Sequence, residues 1–591
     1  MKLHLPKLLC AAVMVAMSSV AFGATLSKEN VVTPDGSSTS YLQLGTYSSG
    51  ASKDTWNGNL VVGDYVDENG QTVQGDVDRV GIFDANWAFV AVATKITRDF
   101  EVKGDVTING NGKMVVGGKA SGSKYTGLTA NKVTLNGDGS TVNLESMSTN
   151  IQSLELNNAK AYLHMGQRPA NGYFFAMESQ RKQAIIQNNI TINGDKSYLL
   201  IGSQGGASTN TDASGKKTYH YATSLGSQQA GLTLTQNGGT VELNGDVVAK
   251  SGLNVVQNKG KTTFRDYLSF NGAGKSFITQ NGDATNKPTM VIGRLANAQD
   301  SKNNVEVDIK QTGGGSIQLK YGTDFAGTGV VNLIQEGSGT ITIGGDGTAS
   351  TMHQWLTSFK STNTTYNLTQ TGTGKININA DAAITAEAVN VGKDAILNVN
   401  GALTITGASS LLGTVNVGAN AIFTFEQTAD MEVTTTLSLQ EGNTMNFNIG
   451  SVDDSNGAMQ MGESGDLAFT GGTLTLELSD VAMQEMAAEA HFIGVEYHLT
   501  LIDNLSDTDV TELEGIINDS LVLERYYAEL ATTRAVEQSN VITFESQGLM
   551  LEGNQLKAVV LVTNPDKLPE PTTTTLSLMA LAALAARRRR K

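Results

Sequence analysis

Val331-Asn332-Leu333-Ile334-Gln335-Glu336-Gly337-Ser338-Gly339-Thr340-Ile341-Thr342-Ile343 carries the phrase from which the fold is read. Apolar and polar residues alternate, a Gly-rich polar turn follows, and the alternation resumes. A period of two puts one set of side chains on each face of an extended strand, the pattern of a half-buried β-strand. Glycine at the break allows a corner with positive φ that other residues resist. A second copy follows at Tyr366-Asn367-Leu368-Thr369-Gln370, running through Gly372-Thr373-Gly374-Lys375 into Ile376-Asn377-Ile378. A third copy is Leu232-Thr233-Leu234-Thr235-Gln236.

Working outward, an Asn-Gly version recurs at Val106-Thr107-Ile108-Asn109-Gly110, Val133-Thr134-Leu135-Asn136-Gly137, Ile190-Thr191-Ile192-Asn193-Gly194 and Val241-Glu242-Leu243-Asn244-Gly245. The glutamines at 236, 257, 280, 311, 335 and 370 are 21, 23, 31, 24 and 35 residues apart. The shorter spacings suit one coil of a β-solenoid, with loops inserted in the longer coils. Stacked coils would sit about 4.8 Å apart, so Asn or Gln at equivalent corners would form amide ladders along the stack. Asn-Gly between alternating strands is also a hairpin signal, and a sandwich or barrel built of hairpins is the alternative.

The expected fold class is therefore mainly β: a parallel-β-helix-like solenoid of repeats with a β-rich C-terminal domain carrying one or two helices. Repeats occupy residues 96–430. Residues 24–95 hold Trp56, Trp87 and an acidic stretch (Asp64, Asp67, Glu68, Asp76, Asp78) with little regular phrasing, as expected of a cap over an open solenoid end. In the C-terminal domain, 431–563, the runs Leu474-Thr475-Leu476-Glu477-Leu478 and Tyr497–Ile502 read as strands. Ala482–Ala490 and Asp509–Arg534 read as helices from apolar residues spaced at three and four. Residues 564–591 form a linker and tail.

Composition narrows the function. The 591 residues carry a formal charge of −16, which disfavours nucleic acid and anionic lipid as partners. The one cysteine is Cys10. Pro169 and Pro288 are the only prolines between Pro34 and Pro565, so Pro-rich linkers are missing there, while Gly, Asn, Thr and Ser supply turn-and-strand chemistry.

Both ends read as processing segments. Lys2 and Lys7 precede the apolar run Leu8–Val20, and Ala21 and Gly23 stand at the minus-three and minus-one positions of a cleavage site. This is a secretory signal peptide, residues 1–23. Cys10 lies inside it, so the exported chain has no thiol for disulfides, catalysis or metal binding. At the other end, Pro569-Glu570-Pro571, four threonines, an apolar run from Leu576 to Ala586, and Arg587, Arg588, Arg589, Arg590 and Lys591 together resemble the PEP-CTERM sorting signal of exported bacterial proteins. The resemblance covers 569–591. It implies an exosortase-like processing enzyme as partner, a transient inner-membrane contact with the basic end held in the cytoplasm, and a destination in the cell envelope, on the cell surface or outside the cell. The apolar run is shorter than the roughly 20 residues of a full span, which fits a sorting tail better than a permanent anchor. Loss of both segments would take the charge to about −23, since Lys2, Lys7 and the five terminal basic residues leave with them. The repeats are similar to adhesin and autotransporter passenger solenoids, which implies a structural or adhesive surface role with glycans or exopolysaccharide as partners.

Gly274-Lys275-Ser276 imitates the end of a phosphate-binding loop, but Ser269 stands where the motif needs glycine. His491 and His498, with Glu489 and Glu496 nearby, do not form a His-Glu-x-x-His pair, and no Gly-x-Ser-x-Gly elbow occurs. Asp195, Asp246, Asp283, Asp308 and Asp324 would serve a glycosidase if two of them flanked one groove, yet aspartate follows Gly or Asn in turns for its own backbone bonding. The acidic stretch at 64–78 lacks a calcium-loop pattern. The expectation is no catalytic, cofactor or metal residues, and a non-enzymatic protein. A polysaccharide lyase or glycosidase on a β-helix scaffold is the alternative.

Overall fold

A computed structural model describes residues 29–32, 38–46, 53–83, 97–163, 186–345, 358–523 and 542–564, apart from short stretches inside these spans. The chain divides into two compact units, 1–365 and 366–591.

In the first unit the chain winds as a solenoid of parallel strands, three short sides to a coil. One coil runs through Leu232–Leu243, which covers two sides around a bend, and then Asp246–Ala249. The next is traced by Leu253–Phe270 and pairs with the first in parallel register: Leu234 with Val255, Val241 with Thr262, Val247 with Leu268. The same inward position can be followed coil by coil through Leu60, Val106, Val133, Leu154, Ile190, Leu234, Val255, Ile278, Ile309 and Leu333. All of these are buried. Each aliphatic side chain thus sits on its equivalents in the coils above and below, about 4.8 Å away, and the alternation read in the sequence becomes an apolar column.

The hairpin alternative fails for a geometric reason. A two-residue type I′ turn needs positive φ at both central residues. At Asn109-Gly110, Asn136-Gly137 and Asn193-Gly194 only the glycines are left-handed, at 55°, 91° and 82°. The chain therefore turns a corner without doubling back, and its strands pair with the next coil. Gly239 and Gly260 make the corners of their coils at φ of 65° and 90°. A Cβ there would run into the carbonyls of Ser197 and Gly239 in the coil below. True hairpins occur as side elements, such as Lys113–Lys119 with Tyr125–Thr126 and Tyr65–Val66 with Thr72–Val73.

Parallel pairing already starts inside the stretch read as a cap: Asp54–Trp56 pairs with Phe100–Val102, and Leu60–Val62 with Val106–Ile108. Four described acidic residues there serve the backbone, while Asp67 and Glu68 lie outside the described residues. Asp78 Oδ2 accepts from Ser40 N at 2.6 Å, Asp54 Oδ2 from Gly45 N at 2.6 Å, Asp76 Oδ2 from Val61 N at 2.8 Å and Asp64 Oδ1 from Gly75 N at 3.0 Å. Irregular first coils leave N–H groups without ladder partners, and carboxylates satisfy them.

The second unit repeats the three-sided coil. Ile376, Leu397, Val415, Leu437 and Leu467 form one inward column, and Ala386, Ile405, Phe425, Phe447 and Leu476 another. Parallel pairing runs past residue 430, through Thr473–Leu478 on Thr444–Ile449 to Leu521–Leu523 on Leu474–Leu476 and Val495–Asp503 on Met459–Met461. Val495–Asp503 also opens an antiparallel sheet in which Gln555–Thr563 lies between it and Thr543–Glu552. Alternate residues Leu556, Ala558, Val560 and Val562 are buried, so the sheet has one core-facing side.

The two described helices are Asp480–Glu489 and Asp507–Glu514. Ser479 Oγ caps the first by accepting from Ala482 N at 3.1 Å. Ser506 and Asp509 form a reciprocal capping box on the second, with both bonds at 3.1 Å. The helix expected over 509–534 is corrected: the described helix is Asp507–Glu514, and within the expected span Leu521–Leu523 is a strand on Leu474–Leu476; residues 515–520 lie outside the described residues. Leu521-Val522-Leu523 is too short an apolar run to fix its own period, and the open parallel edge offers it ladder hydrogen bonds. Residues 524–541 lie outside the described residues.

Candidate functional site

At the first corner of each coil in unit one, neighbouring residues split between core and surface. On the outside, asparagines form a ladder. Asn136 Nδ2 donates to Asn109 Oδ1 at 2.8 Å, Asn157 to Asn136 at 2.8 Å, Asn193 to Asn157 at 2.9 Å, Asn237 to Asn193 at 2.9 Å, Asn258 to Asn237 at 2.7 Å and Asn281 to Asn258 at 3.0 Å. Thr312 ends the row, its hydroxyl donating to Asn281 Oδ1 at 2.9 Å.

On the inside, the position one residue earlier changes character. It is Ile108, Leu135, Leu156 and Ile192 in early coils, then Gln236, Gln257, Gln280, Gln311 and Gln335. These glutamines are at most 1% exposed. Gln257 Nε2 donates to Gln236 Oε1 at 3.1 Å and Gln280 Nε2 to Gln257 Oε1 at 2.9 Å; the same amides also reach backbone carbonyls, Gln257 to Thr289 O at 3.0 Å and Gln280 to Ser316 O at 3.0 Å. The amide ladders expected from the Gln spacing are present, but the glutamines face the core, and the asparagines carry the outer ladder.

The outward rows are where a partner would meet the protein. One aligned row runs Thr107, Thr134, Glu155, Thr191, Thr235, Val256, Thr279, Lys310 and Ile334. Its neighbour runs Ser153, Asn189, Thr233, Asn254, Phe277, Asp308 and Asn332. Within it Phe277 is 44% exposed. Lys275 Nζ lies 2.6 Å from Glu306 Oε1 and 3.0 Å from Asp308 Oδ1, and Asn332 Nδ2 donates to the same two oxygens at 3.3 and 2.7 Å. Hydrogen bonds to Glu306 and Asp308 hold the Lys275 ammonium above its usual range.

On an adjoining side, Tyr162 and Tyr198 stand 5.7 Å apart between ring centres. Burial, then the Glu242 carboxylate beside it, pushes the Tyr198 phenol up to about 12. At the corner, ion pairs step from coil to coil: Lys196 to Asp138 at 3.0 Å and Lys259 to Asp195 at 2.8 Å. Together with Gly137, Asn158, Gly194 and Asn237 they line an open concavity.

The aspartates weighed for catalysis are dispersed. Asp195 pairs with Lys259, Asp308 with Lys275, and Asp324 with Lys360 at 3.0 Å. Asp283 closes its own turn, accepting from Asn286 N at 2.5 Å and Thr285 N at 2.7 Å; these backbone donors hold its carboxyl below the usual range. Asp246 begins a side strand. Lys275 and Ser276 open a strand: Ser276 is buried, with its hydroxyl accepting from Leu253 N at 3.1 Å. That is a strand edge, not a phosphate cradle. His498 lies on Val495–Asp503, 4.0 Å from Glu496; His491 falls outside the described residues. Among the described residues no cluster of three His, Cys, Asp or Glu side chains is arranged to hold a metal ion, and no helix is long and apolar enough to cross a membrane. The cleavage residues Ala21 and Gly23, and the sorting residues Pro569, Glu570, Pro571, Arg587, Arg588, Arg589, Arg590 and Lys591, lie outside the described residues.

The fold defines a parallel β-solenoid. No protein family, curated protein or solved structure matches the chain.

Proposed function

We propose that this chain is an exported bacterial β-solenoid that acts at the cell surface or outside the cell as a structural or adhesive protein, holding glycans through many weak contacts. The observation that carries this reading is the long outward field of hydroxyl and amide side chains, set in register by the stack and pinned by the Asn ladder. A polyhydroxylated ligand can trade hydrogen bonds with such a field at every coil, so modest contacts add through multivalency. The signal-peptide pattern at 1–23 and the PEP-CTERM-like tail at 569–591 supply the route, with an exosortase-like enzyme as processing partner. The net charge of −16 favours neutral over anionic polymers.

A glycan array and a panel of polysaccharides incubated with the protein test the reading. Binding without new reducing ends or unsaturated sugars is expected; turnover would establish the lyase or glycosidase alternative. For the route, mass spectrometry of the native C-terminus is expected to find the Arg-rich end removed. An intact end on surface-purified protein would count against sorting, as would an unchanged distribution after deletion of 569–591.

A further inference from the structure

From the geometry around Phe277 we infer a built subsite for a neutral pyranose chain, formed by Phe277, Glu306, Asp308, Asn332 and Lys275 and lying along the stack. The inference rests on the glycan-holding reading and gives it a place. In the outward row from Ser153 to Asn332, Phe277 is the one aromatic residue, and it is 44% exposed. One coil on, Asp308 is its register partner, and a further coil on stands Asn332.

The polar groups are fixed before any ligand arrives. Lys275 Nζ and Asn332 Nδ2 converge on the same two acceptors, Glu306 Oε1 and Asp308 Oδ1. Each carboxylate keeps a second acceptor oxygen, Glu306 Oε2 and Asp308 Oδ2. Two oriented carboxylates beside a half-exposed ring, with the Lys275 ammonium 5.6 Å from the ring centroid, match a sugar chain that lays the C–H groups of its flat side on the ring and turns the donating hydroxyls of its rim to the carboxylates. The coil spacing of about 4.8 Å is close to the length of one pyranose unit, so a ring stacked on Phe277 would bring the hydroxyls of the next unit to Asp308. One lysine between two carboxylates leaves the site with a net negative charge, which disfavours uronic acids and sulfated sugars.

The test uses the full chain in calorimetric titrations with cellohexaose, mannohexaose and a β-linked galactohexaose as neutral probes. A hexagalacturonate and a lysine-rich peptide are the competing ligands. At least one neutral hexamer is expected to bind. Phe277→Ala should weaken it about tenfold, the loss of one stacked ring, and Phe277→Trp should retain it. Glu306→Gln with Asp308→Asn should weaken it further, whereas Tyr65→Ala, at another exposed aromatic, should change nothing. Because Phe277 is on the surface, an unchanged melting curve for Phe277→Ala shows that the fold is kept. Glycan binding indifferent to Phe277→Ala overturns the subsite and leaves the glycan-holding function standing. Binding of the acidic hexamer or the peptide in place of the neutral ones overturns the subsite. Failure of every glycan, on the array as well as here, overturns both.

Discussion

The two units solve the same corner differently. In the first, the inward corner position passes from Ile192 to Gln236, and buried glutamines continue to Gln335. In the second, the column starts as Gln370 and reverts at once to Val391, Leu411, Val433 and Met461. The residue after it differs too: the asparagines that carry the outer ladder in unit one give way to Thr371, Gly392 and Leu412 in unit two. Amide bonds there join an outward row within the next strands instead, Asn416 donating to Asn398 at 2.9 Å and Asn398 to Asn377 at 2.7 Å, and on a further side rings stack in the core, with Phe423 and Phe425 4.4 Å apart and Phe425 and Phe447 5.7 Å apart. A parallel stack thus accepts amide or apolar corners: the amide nitrogens of Gln257, Gln280 and Gln335 find acceptors in neighbouring strands or turns, while Gln280 Oε1, Gln335 Oε1 and Gln370 Oε1 have no partner among the described residues.

The contrast can be broken at its apolar side first. Phe425→Ala opens a cavity between Phe423 and Phe447, and urea unfolding should register a loss of about 3–5 kcal/mol in the second unit. A loss below about 1 kcal/mol would mean that the rings do not hold the stack. On the amide side, Gln257→Ala deprives Gln236, Gln280 and two backbone carbonyls of partners, for an expected cost of about 3 kcal/mol. Changing Gln236, Gln257 and Gln280 together to Leu should cost less than the sum of the three single changes, because the earlier coils already carry Ile or Leu there; strict additivity would show that the side-chain ladder is not cooperative.

Smaller effects sharpen the comparison. Asn157→Ala breaks the outer ladder in its middle and should cost about 1–2 kcal/mol by the same unfolding measurement. Lys196→Ala, at an exposed ion pair, should change stability by less than about 0.5 kcal/mol, which would separate the amide row from the charges beside it.

Tyr198 gives a pH test. A phenol raised to about 12 in the fold, against an unfolded value of about 10, stays protonated after the unfolded chain has lost its proton. Its contribution to stability is therefore complete below about pH 10 and disappears as pH rises through about 12. Absorbance at phenolate wavelengths, wild type minus Tyr198→Phe, should show that late transition, and Glu242→Gln should move it to lower pH. A transition at the ordinary tyrosine value would contradict the burial and the Glu242 contact.

Much of this was legible in the chain. Alternation around Val331–Ile343 named the inward residues, and the Gln spacing named the coil. The inward direction of the glutamines was readable too, since Gln335 is in phase with Val331 and Leu333; period-two counting places it inside, against the habit of putting amides on surfaces. The strand at Leu521–Leu523 was not legible, because it forms only where Leu474–Leu476 offers an open edge. Nor was the Phe277 subsite, whose members come from strands separated by whole coils.

By itself the sequence determined the strand period, the glycine corners and which face of each strand is apolar, because these are set by steric and hydrophobic preferences within a few residues. Only the tertiary structure decided the parallel partner of each strand, which turned Asn-Gly corners into ladder rungs and brought Phe277, Glu306, Asp308 and Asn332 to one place. Register between coils is a contact between residues about twenty or more apart, and no local preference specifies it.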